Sequence, residues 1–200
     1  MTFNNFAISS LSRSGSTFLA RVMDKSEKYR VYHERDEHVV QVGDRVTVQK
    51  RFARKDYGEV SSRLRFVLPT LNVKKKGVIL RNPFDLLVSV CNRREDMNEY
   101  IYTFGEHFKT LDKLVGCADV VIRFEHMTTS ATYLDDMLRR FGISDVPITD
   151  ELVHTRQNVS KQYHYQCFRE LPLRWRRVFL NQCEWFILKH GYTLAAPQTY

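Results

Sequence analysis

The chain has 200 residues, of which 43% are hydrophobic, and a formal net charge of +8. This length favours a single globular domain over residues 1–200, and the charge indicates an anionic partner without identifying it. No window approaches about 18 uninterrupted apolar residues, so we expect no signal peptide, no membrane span and a cytoplasmic location. The four cysteines form no C-x-x-C pair, which favours buried free thiols over disulfides or a zinc site.

The first predicted elements are a strand, a glycine turn and a helix. A short apolar run at 6–9 predicts a buried strand, and "STFLARVM" from Ser16 predicts a helix with one apolar face. In the intervening "SLSRSG", residues 10–15, the glycine permits a tight turn, and the amides of residues 14–18 can converge on an anion at the helix start. The turn differs from the nucleotide-binding loop G-x-x-x-x-G-K-[ST], because Ser10 replaces the first Gly and Ser16 replaces the Lys.

The next segment contains one clear strand and one ambiguous region. "YRVYHE" at 29–34 predicts a second strand, and the charged "ERDEH" predicts a loop at its carboxyl end. Between residues 39 and 73 the patterns conflict. "VTVQKRF" alternates like a strand, while "SSRLRFVLPTL" fits either a helix broken at Pro69 or a further strand.

A second strand-to-helix junction follows. "GVIL" at 77–80 predicts an apolar strand, and "RNPFDLLVSV" predicts a helix in which Asn82 is the cap and Pro83 takes the first helical position. Asp85 favours the positive end of that helix. "KKK" at 74–76 is interpreted as a solvated turn before the strand.

Apolar spacing also predicts the later elements. In chain order, these are a helix from about 101 that ends at Gly116, a strand at 118–124, a helix that ends at Gly142, and a helix over about 171–190 that ends at Gly191. "RWRR" is interpreted as a face of this last helix. Strands that alternate with helices predict an α/β fold, a three-layer α/β/α arrangement around a central parallel sheet. Ligands then gather at the carboxyl ends of the strands.

Two polar groupings fall at such strand ends. After the first strand, hydroxyls of Ser14, Ser16 and Thr17 accompany the charge of Arg13, although a Ser/Gly turn can also be a mere connection. In the second grouping, Arg81 ends a strand and Ser89 lies about two turns into the next helix. Both can face a second anion, although an Arg after a strand is usually a surface ion pair.

In order and spacing, "SRSGSTFL" and "VILRNPFDLLVS" resemble the sulfotransferase family that uses 3′-phosphoadenosine-5′-phosphosulfate (PAPS). In that family, a loop [KR]-[ST]-G-[ST]-[ST] holds the 5′-phosphosulfate, and R-[ND]-P-x-[DE]-x-x-x-S binds the 3′-phosphate through its Arg and Ser. "VVIRFEHM", "RQNVS" and the closing "HGY" match family patterns more weakly, so the resemblance spans nearly the whole chain. The residues that match the two main motifs are Arg13, Ser14, Gly15, Ser16 and Thr17, and Arg81, Asn82, Pro83, Asp85 and Ser89.

The resemblance implies a P-loop-like sulfotransferase fold and transfer of a sulfuryl group from PAPS to a hydroxyl or amine, with the bisphosphate PAP as product. A sulfuryl group carries less charge than a phosphoryl group, so amides, hydroxyls and one cation can serve without a metal ion. Arg13 then neutralises the charge that grows on the phosphate as the S–O bond breaks. The missing loop Lys argues against the first alternative, an ATP-dependent kinase. The second alternative, a non-catalytic nucleic-acid-binding protein, is supported only by net charge, and we expect no nucleic-acid partner.

Many family members place a Glu or His base at the end of the second strand. "YHERDEH" offers Glu34 first, His33 second and His38 third, and "HE" resembles the family's G-E arrangement. Neighbouring strand residues point to opposite faces, so only one of His33 and Glu34 should reach the sulfate. The ordinary alternative is an exposed charged loop.

The remaining expectations concern the adenine and the acceptor. By position Phe18 can stack on adenine, although a helix aromatic is more often part of a core. "HTRQNVSKQYH" at 154–164 replaces the family's R-K-G triplet and is either a cofactor or lid segment or an ordinary polar loop. The sequence leaves the oligomeric state open and identifies the acceptor only as a small molecule, a carbohydrate or a peptide. The candidate ligands in the 154–164 segment are Arg156, Asn158, Ser160 and Lys161.

Overall fold

The computed structural model describes residues 5–34, 39–42, 45–48, 56–154 and 164–194. The chain divides into two compact units. The first comprises Met1–Leu80 and Lys113–Gln157, and the second comprises Arg81–Asp112 and Asn158–Tyr200. The expectation of one domain over the whole chain stays a prediction.

The first unit is built on a five-stranded parallel sheet with the spatial order β2-β5-β1-β6-β7. Two further strands, β3 and β4, pair with each other in antiparallel fashion. The sheet and the helices that flank it confirm the predicted α/β fold. The strands are β1 (Phe6–Ser10), β2 (Tyr29–Tyr32), β3 (Val39–Val42), β4 (Arg45–Val48), β5 (Asp56–Ser61), β6 (Lys75–Leu80) and β7 (Val120–Arg123).

Helices occur in both units. The helices are α1 (Ser16–Met23), α2 (Pro83–Cys91), α3 (Met97–Tyr100), α4 (Phe104–Cys117), α5 (Phe124–Met127), α6 (Ala131–Arg140), α7 (Asp150–His154) and α8 (Leu173–Lys189). Of the helices in the part of the chain that the structure describes, none combines the length and apolar character that a bilayer crossing requires.

One cluster of buried hydrophobic side chains in the first unit lies on one face of the sheet. Side chains of alternate strand positions pack there against α1, α5, α6 and α7, because neighbouring strand residues point to opposite faces. Core members from the strands and helices include Phe6, Ile8, Val60, Ile122, Leu19, Val22, Met127, Leu134 and Val153. Val60 belongs to this core and Glu59 therefore lies on the opposite face, where it is fully buried.

The second unit is helical and has an aromatic core. Phe84 of α2 packs edge-on against Phe168 with ring centroids 4.7 Å apart, and Phe179 of α8 contacts both rings. The start of α2 is as predicted, since the Asn82 side chain accepts a hydrogen bond from the Phe84 N–H at 2.9 Å and Pro83 takes the first turn.

Several predicted boundaries are wrong. β2 ends at Tyr32, two residues before the predicted end. The "KKK" cluster is not a turn, because β6 begins at Lys75. Helix α4 continues through Gly116 to Cys117, and the Gly116 backbone is not in the left-handed region that would end a helix. By contrast, Gly142 and Gly191 have φ of 83° and 73° and follow the ends of α6 and α8, as predicted.

The ambiguous region also contains a strand that the sequence did not reveal. β5 lies between β2 and β1, and the segment after it forms two short 3₁₀ helices, Ser62–Phe66 and Leu68–Thr70. The predicted strand in "VTVQKRF" corresponds to β4.

All four cysteines are free thiols. Cys91 and Cys183 are buried, and burial raises the pKa of Cys91 to about 12 and that of Cys183 further still. Cys117 and Cys167 are partly exposed. The four side chains thus divide into two inert thiols and two accessible ones.

Candidate functional site

The loop between β1 and α1 has the backbone of an anion-binding turn. Arg13 has φ 70° and Gly15 has φ 85°, while Ser14 between them is not left-handed. The Ser14 N–H donates to the Leu11 carbonyl at 3.3 Å and closes the turn. Such an alternation of backbone conformation points successive N–H groups toward one side, which forms a concave site for an anion.

The start of α1 continues this site. Gly15 is the N-cap residue, no side chain caps the helix, and its first turn contains no acidic residue. The N–H groups of a first helical turn have no partner within the helix and carry the positive end of its dipole. They are therefore oriented to bind an anion in front of Ser16 and Thr17.

The close packing around residue 15 requires a glycine, as does its backbone conformation. A Cβ atom at this position would lie 2.5 Å from the Phe124 ring and 2.9 Å from the Met127 side chain, both in α5. Helix α5 therefore supports the loop from behind, and it is formed by the "FEHM" of the weaker sequence match.

Ser14 contributes a hydroxyl that faces no protein partner. The side chain is 1% exposed, and within the described ranges its Oγ makes no hydrogen bond. A buried hydroxyl without a partner is costly, and in native proteins it usually marks a missing ligand or water. The loop thus fits an anion whose oxygens can accept a hydrogen bond from this hydroxyl.

His33 lies on the other side of this loop. It follows the last residue of β2, and its Nε2 lies 3.0 Å from Ser16 Oγ and 3.3 Å from Thr17 Oγ1. Burial lowers the pKa of His33, Glu34 opposes this effect, and the charges of Arg21 and Arg63 lower the pKa further. The imidazole is therefore neutral near pH 7 and can accept a proton.

Glu34 points elsewhere. Its backbone is left-handed with φ 47°, and its carboxylate accepts a hydrogen bond from the Ser62 N–H at 3.0 Å and a short one from the Ser62 hydroxyl. Its own N–H donates to Glu59 Oε1 at 3.1 Å. The structure thus places the His33 side chain, and not that of Glu34, beside the loop. The choice of Glu34 as the first candidate base stays a prediction. The alternation rule does not apply, because the strand ends before both residues.

Phe18 lies in the hydrophobic core with 6% exposure, in the core role that the sequence also allowed. Its stacking on adenine stays a prediction. His38 and the four candidates of the 154–164 segment, Arg156, Asn158, Ser160 and Lys161, lie outside the described residues.

The predicted 3′-phosphate residues belong to the second unit. Arg81 immediately precedes the capping residue Asn82, and Ser89 lies seven positions after that cap. Seven residues are about two helical turns, so Ser89 lies on the side of α2 that continues from its cap. Both Arg81 and Ser89 are half-buried. Their binding of a phosphate stays a prediction.

The described side chains do not suggest a metal site. Among the residues whose placement is described, no group of three or more His, Cys, Asp or Glu side chains is arranged to hold a metal ion. The expectation of metal-independent chemistry stays a prediction.

A solved structure shares this architecture. The crystal structure of a sulfotransferase from Alicyclobacillus acidocaldarius matches with a TM-score of 0.57, covers 98% of both chains and is 13% identical in sequence. At this identity the likeness shows the fold alone, so the chain has the fold of that sulfotransferase structure. No protein-family model matches the chain, and no curated protein matches it.

Proposed function

We propose that this protein is a sulfotransferase that moves a sulfuryl group from PAPS to a hydroxyl or amine, with His33 as the base. One observation carries the proposal. The imidazole Nε2 of His33 lies 3.0 Å from the hydroxyl of Ser16, which is the first residue of a helix whose uncapped start is suited to an anion. A proton acceptor and an anion site therefore adjoin each other.

The donor's phosphosulfate would be held by the loop. The amides at the start of α1 and the hydroxyls of Ser14, Ser16 and Thr17 can donate to its oxygens, and Arg13 can add a positive charge. PAPS supplies the activated sulfuryl group. The sulfotransferase fold of the Alicyclobacillus acidocaldarius structure supports this choice of donor over ATP.

The step follows from the positions of these residues. The acceptor oxygen or nitrogen attacks the sulfur, the S–O bond to the 5′-phosphate breaks, and both electrons of that bond leave with PAP. His33 Nε2 takes the proton that the acceptor loses, in the tautomer that carries its hydrogen on Nδ1. Arg13 and the helix amides stabilise the charge that develops on the leaving phosphate.

The 3′-phosphate of the donor is assigned to Arg81 and Ser89, on the resemblance of "RNPFDLLVS" to the family motif. An arginine can bind a phosphate through two parallel hydrogen bonds, which suits selection of a 3′-phosphorylated nucleotide. The acceptor class, whether a small molecule, a carbohydrate or a peptide, is left to experiment.

Thermal shift with PAP and with Mg-ATP tests the donor class. Stabilisation by PAP at concentrations where Mg-ATP has no effect is expected. Stabilisation by Mg-ATP alone would indicate a kinase instead. Steeply salt-dependent binding to DNA or RNA with no response to PAP would indicate a nucleic-acid-binding protein.

Mass spectrometry tests the reaction itself. The protein is incubated with PAPS and a panel of phenols, sugars, amines and peptides, and a product heavier by one sulfuryl group is expected for at least one class. The loop variant Gly15→Ala serves as the matched control, because its phosphate site is distorted.

A further inference from the structure

Glu59 is an ionisable side chain in an unusual place. It lies in β5, between Ala7 of β1 and Tyr32 of β2 in the register of the sheet, and it is fully buried. A carboxylate in such a position is costly unless polar groups compensate for the lost water. Its contacts therefore indicate what it contributes.

One of these contacts is to the backbone immediately after His33. The N–H of Glu34 donates to Glu59 Oε1 at 3.1 Å. Glu34 has φ 47°, in the left-handed region that residues other than glycine rarely adopt. Such a conformation persists only where surrounding contacts hold it. The Glu59 carboxylate provides one of these contacts.

Ser62 holds the same residue through its side chain. The backbone N–H of Ser62 donates to Glu34 Oε1 at 3.0 Å, and its hydroxyl donates to the same oxygen. We call Glu59 and Ser62, with the Glu34 that they bind, the Glu34 clamp. The clamp and the sheet-paired Tyr32 enclose a single residue, His33, between two fixed points of the chain.

We propose that Glu59 is a positioning residue for the transfer reaction: its hydrogen bond from the Glu34 N–H fixes the turn that holds His33 Nε2 against Ser16 and Thr17. The catalytic part of this inference rests on the proposed function. The orientation of the imidazole does not, because it follows from the contacts alone.

A matched control exists at the other end of β2. The carboxylate of Asp145 accepts hydrogen bonds from the Ser26 hydroxyl and from the Glu27 N–H, both at 2.9 Å. It thus fixes the chain just before β2 begins at Tyr29, as Glu59 fixes the chain just after the strand ends. Asp145→Asn disturbs a comparable carboxylate-to-backbone contact without touching the His33 side of the strand.

The test compares three variants. Glu59→Met keeps much of the side-chain volume but removes the hydrogen-bond acceptor, and Glu59→Gln keeps an acceptor oxygen. Asp145→Asn is the matched control. The imidazole signals of His33 are followed by NMR through a pH titration and are assigned by their absence in His33→Gln. In parallel, kcat with PAPS and the affinity for PAP are measured.

In Glu59→Met we expect the His33 titration to move up toward the ordinary histidine value, because the ring leaves its partly buried position. We expect kcat to fall about 10- to 100-fold, since small misplacements of a reacting group have effects of this size. The affinity for PAP should stay unchanged. Glu59→Gln should keep the His33 titration and kcat close to their wild-type values. Asp145→Asn should lower thermal stability and leave the His33 titration and kcat unchanged.

An unchanged His33 titration in folded Glu59→Met would overturn the positioning role. A shifted titration with undiminished kcat would support the orientation of His33 by Glu59 and would instead overturn His33 as the base, which separates this inference from the proposed function. If Glu59→Met does not fold, Ser62→Ala removes only one hydroxyl from the Glu34 clamp. It should shift the same titration in the same direction, and no shift there would count against the clamp.

Discussion

The two sides of the candidate site are built in different ways. The phosphate side consists of consecutive residues at 11–17, and its backbone geometry follows from one glycine and one helix start. The base side consists of His33 and Glu34, and its geometry depends on residues that are 25 and 28 positions away in the chain. The geometry of the candidate anion site is thus determined locally, while the placement of His33, the base that we propose, is determined by tertiary contacts.

Both sides contain a left-handed residue other than glycine, Arg13 on one side and Glu34 on the other. Arg13 lies within a turn that Gly15 completes, whereas Glu34 is held by β5 and the turn after it. Substitutions should therefore separate the two sides. Changes at the loop should affect donor binding and stability, and changes at the base should affect turnover.

The largest effect is expected from His33→Gln. Removing a general base should lower kcat by about 10²- to 10⁴-fold, while PAP binds as before. Rates of sulfated-product formation and a PAP titration measure the two quantities. His107→Gln, in helix α4 of the second unit and outside the candidate site, is the control and should keep wild-type turnover. Near-normal turnover of His33→Gln would assign the base to another group and remove the contrast between the two sides.

Gly15→Ala should damage the phosphate side and the fold together. The left-handed backbone and the overlap with Phe124 should lower the free energy of unfolding by about 2–4 kcal/mol, and PAP affinity should fall with it. Urea denaturation measures the first effect. Gly116→Ala is the matched control, since this helical glycine has open space around it, and it should stabilise the protein by about 0.5–1 kcal/mol. Equal stabilities of the two variants would show that the loop does not need its glycine.

Arg81→Ala extends the test of the phosphate side to the second unit. Loss of a bidentate phosphate contact should weaken PAP binding at least about tenfold and leave binding of adenosine 5′-monophosphate, which lacks the 3′-phosphate, unchanged. Arg93→Ala, an exposed arginine of the same unit, is the control. Calorimetric titration measures both ligands, and an unaltered PAP affinity would refute the assignment of Arg81.

The pH dependence of kcat should report the base side. Burial lowers the pKa of His33 below its ordinary value of 6.5, so more than half of the imidazole is unprotonated at that pH. Turnover at pH 6.5 should therefore exceed half of its plateau value and should fall as the pH drops through the lowered pKa. The unfolded chain binds the proton more readily than the folded one, so His33 should also lower stability as the pH falls below about 6.5. A kcat profile with its inflection above 6.5 would contradict the assignment.

Local chemistry made much of this molecule predictable. The Asn82 cap, Pro83 in the first turn and the glycine turn before α1 each follow from rules that involve a few neighbouring residues. The strand β5 escaped prediction because Gly58 and Glu59 interrupt its apolar pattern. In the folded protein, the ring of Phe6 fills the space where a Gly58 side chain would lie, and that contact joins residues far apart in sequence.

The positions of the His33 and Glu34 side chains could not be predicted from local rules for the same reason. A strand that ran through residue 34 would have placed His33 and Glu34 on opposite faces. Instead β2 ends at Tyr32, and the partners of Glu34 belong to a strand that the sequence pattern did not show. Placing the His33 side chain beside the loop needed the pairing of β2 with β5.

The positions of the four thiols suit the protein to spectroscopic labelling at its native cysteines. Cys117 lies in the first compact unit and Cys167 in the second, and both are partly exposed, while Cys91 and Cys183 are protected by burial and by their raised thiol pKa. Maleimide probes should therefore attach at one position in each unit without any engineered cysteine. A fluorophore at either position would report on the surroundings of that cysteine in its own unit while PAP is added.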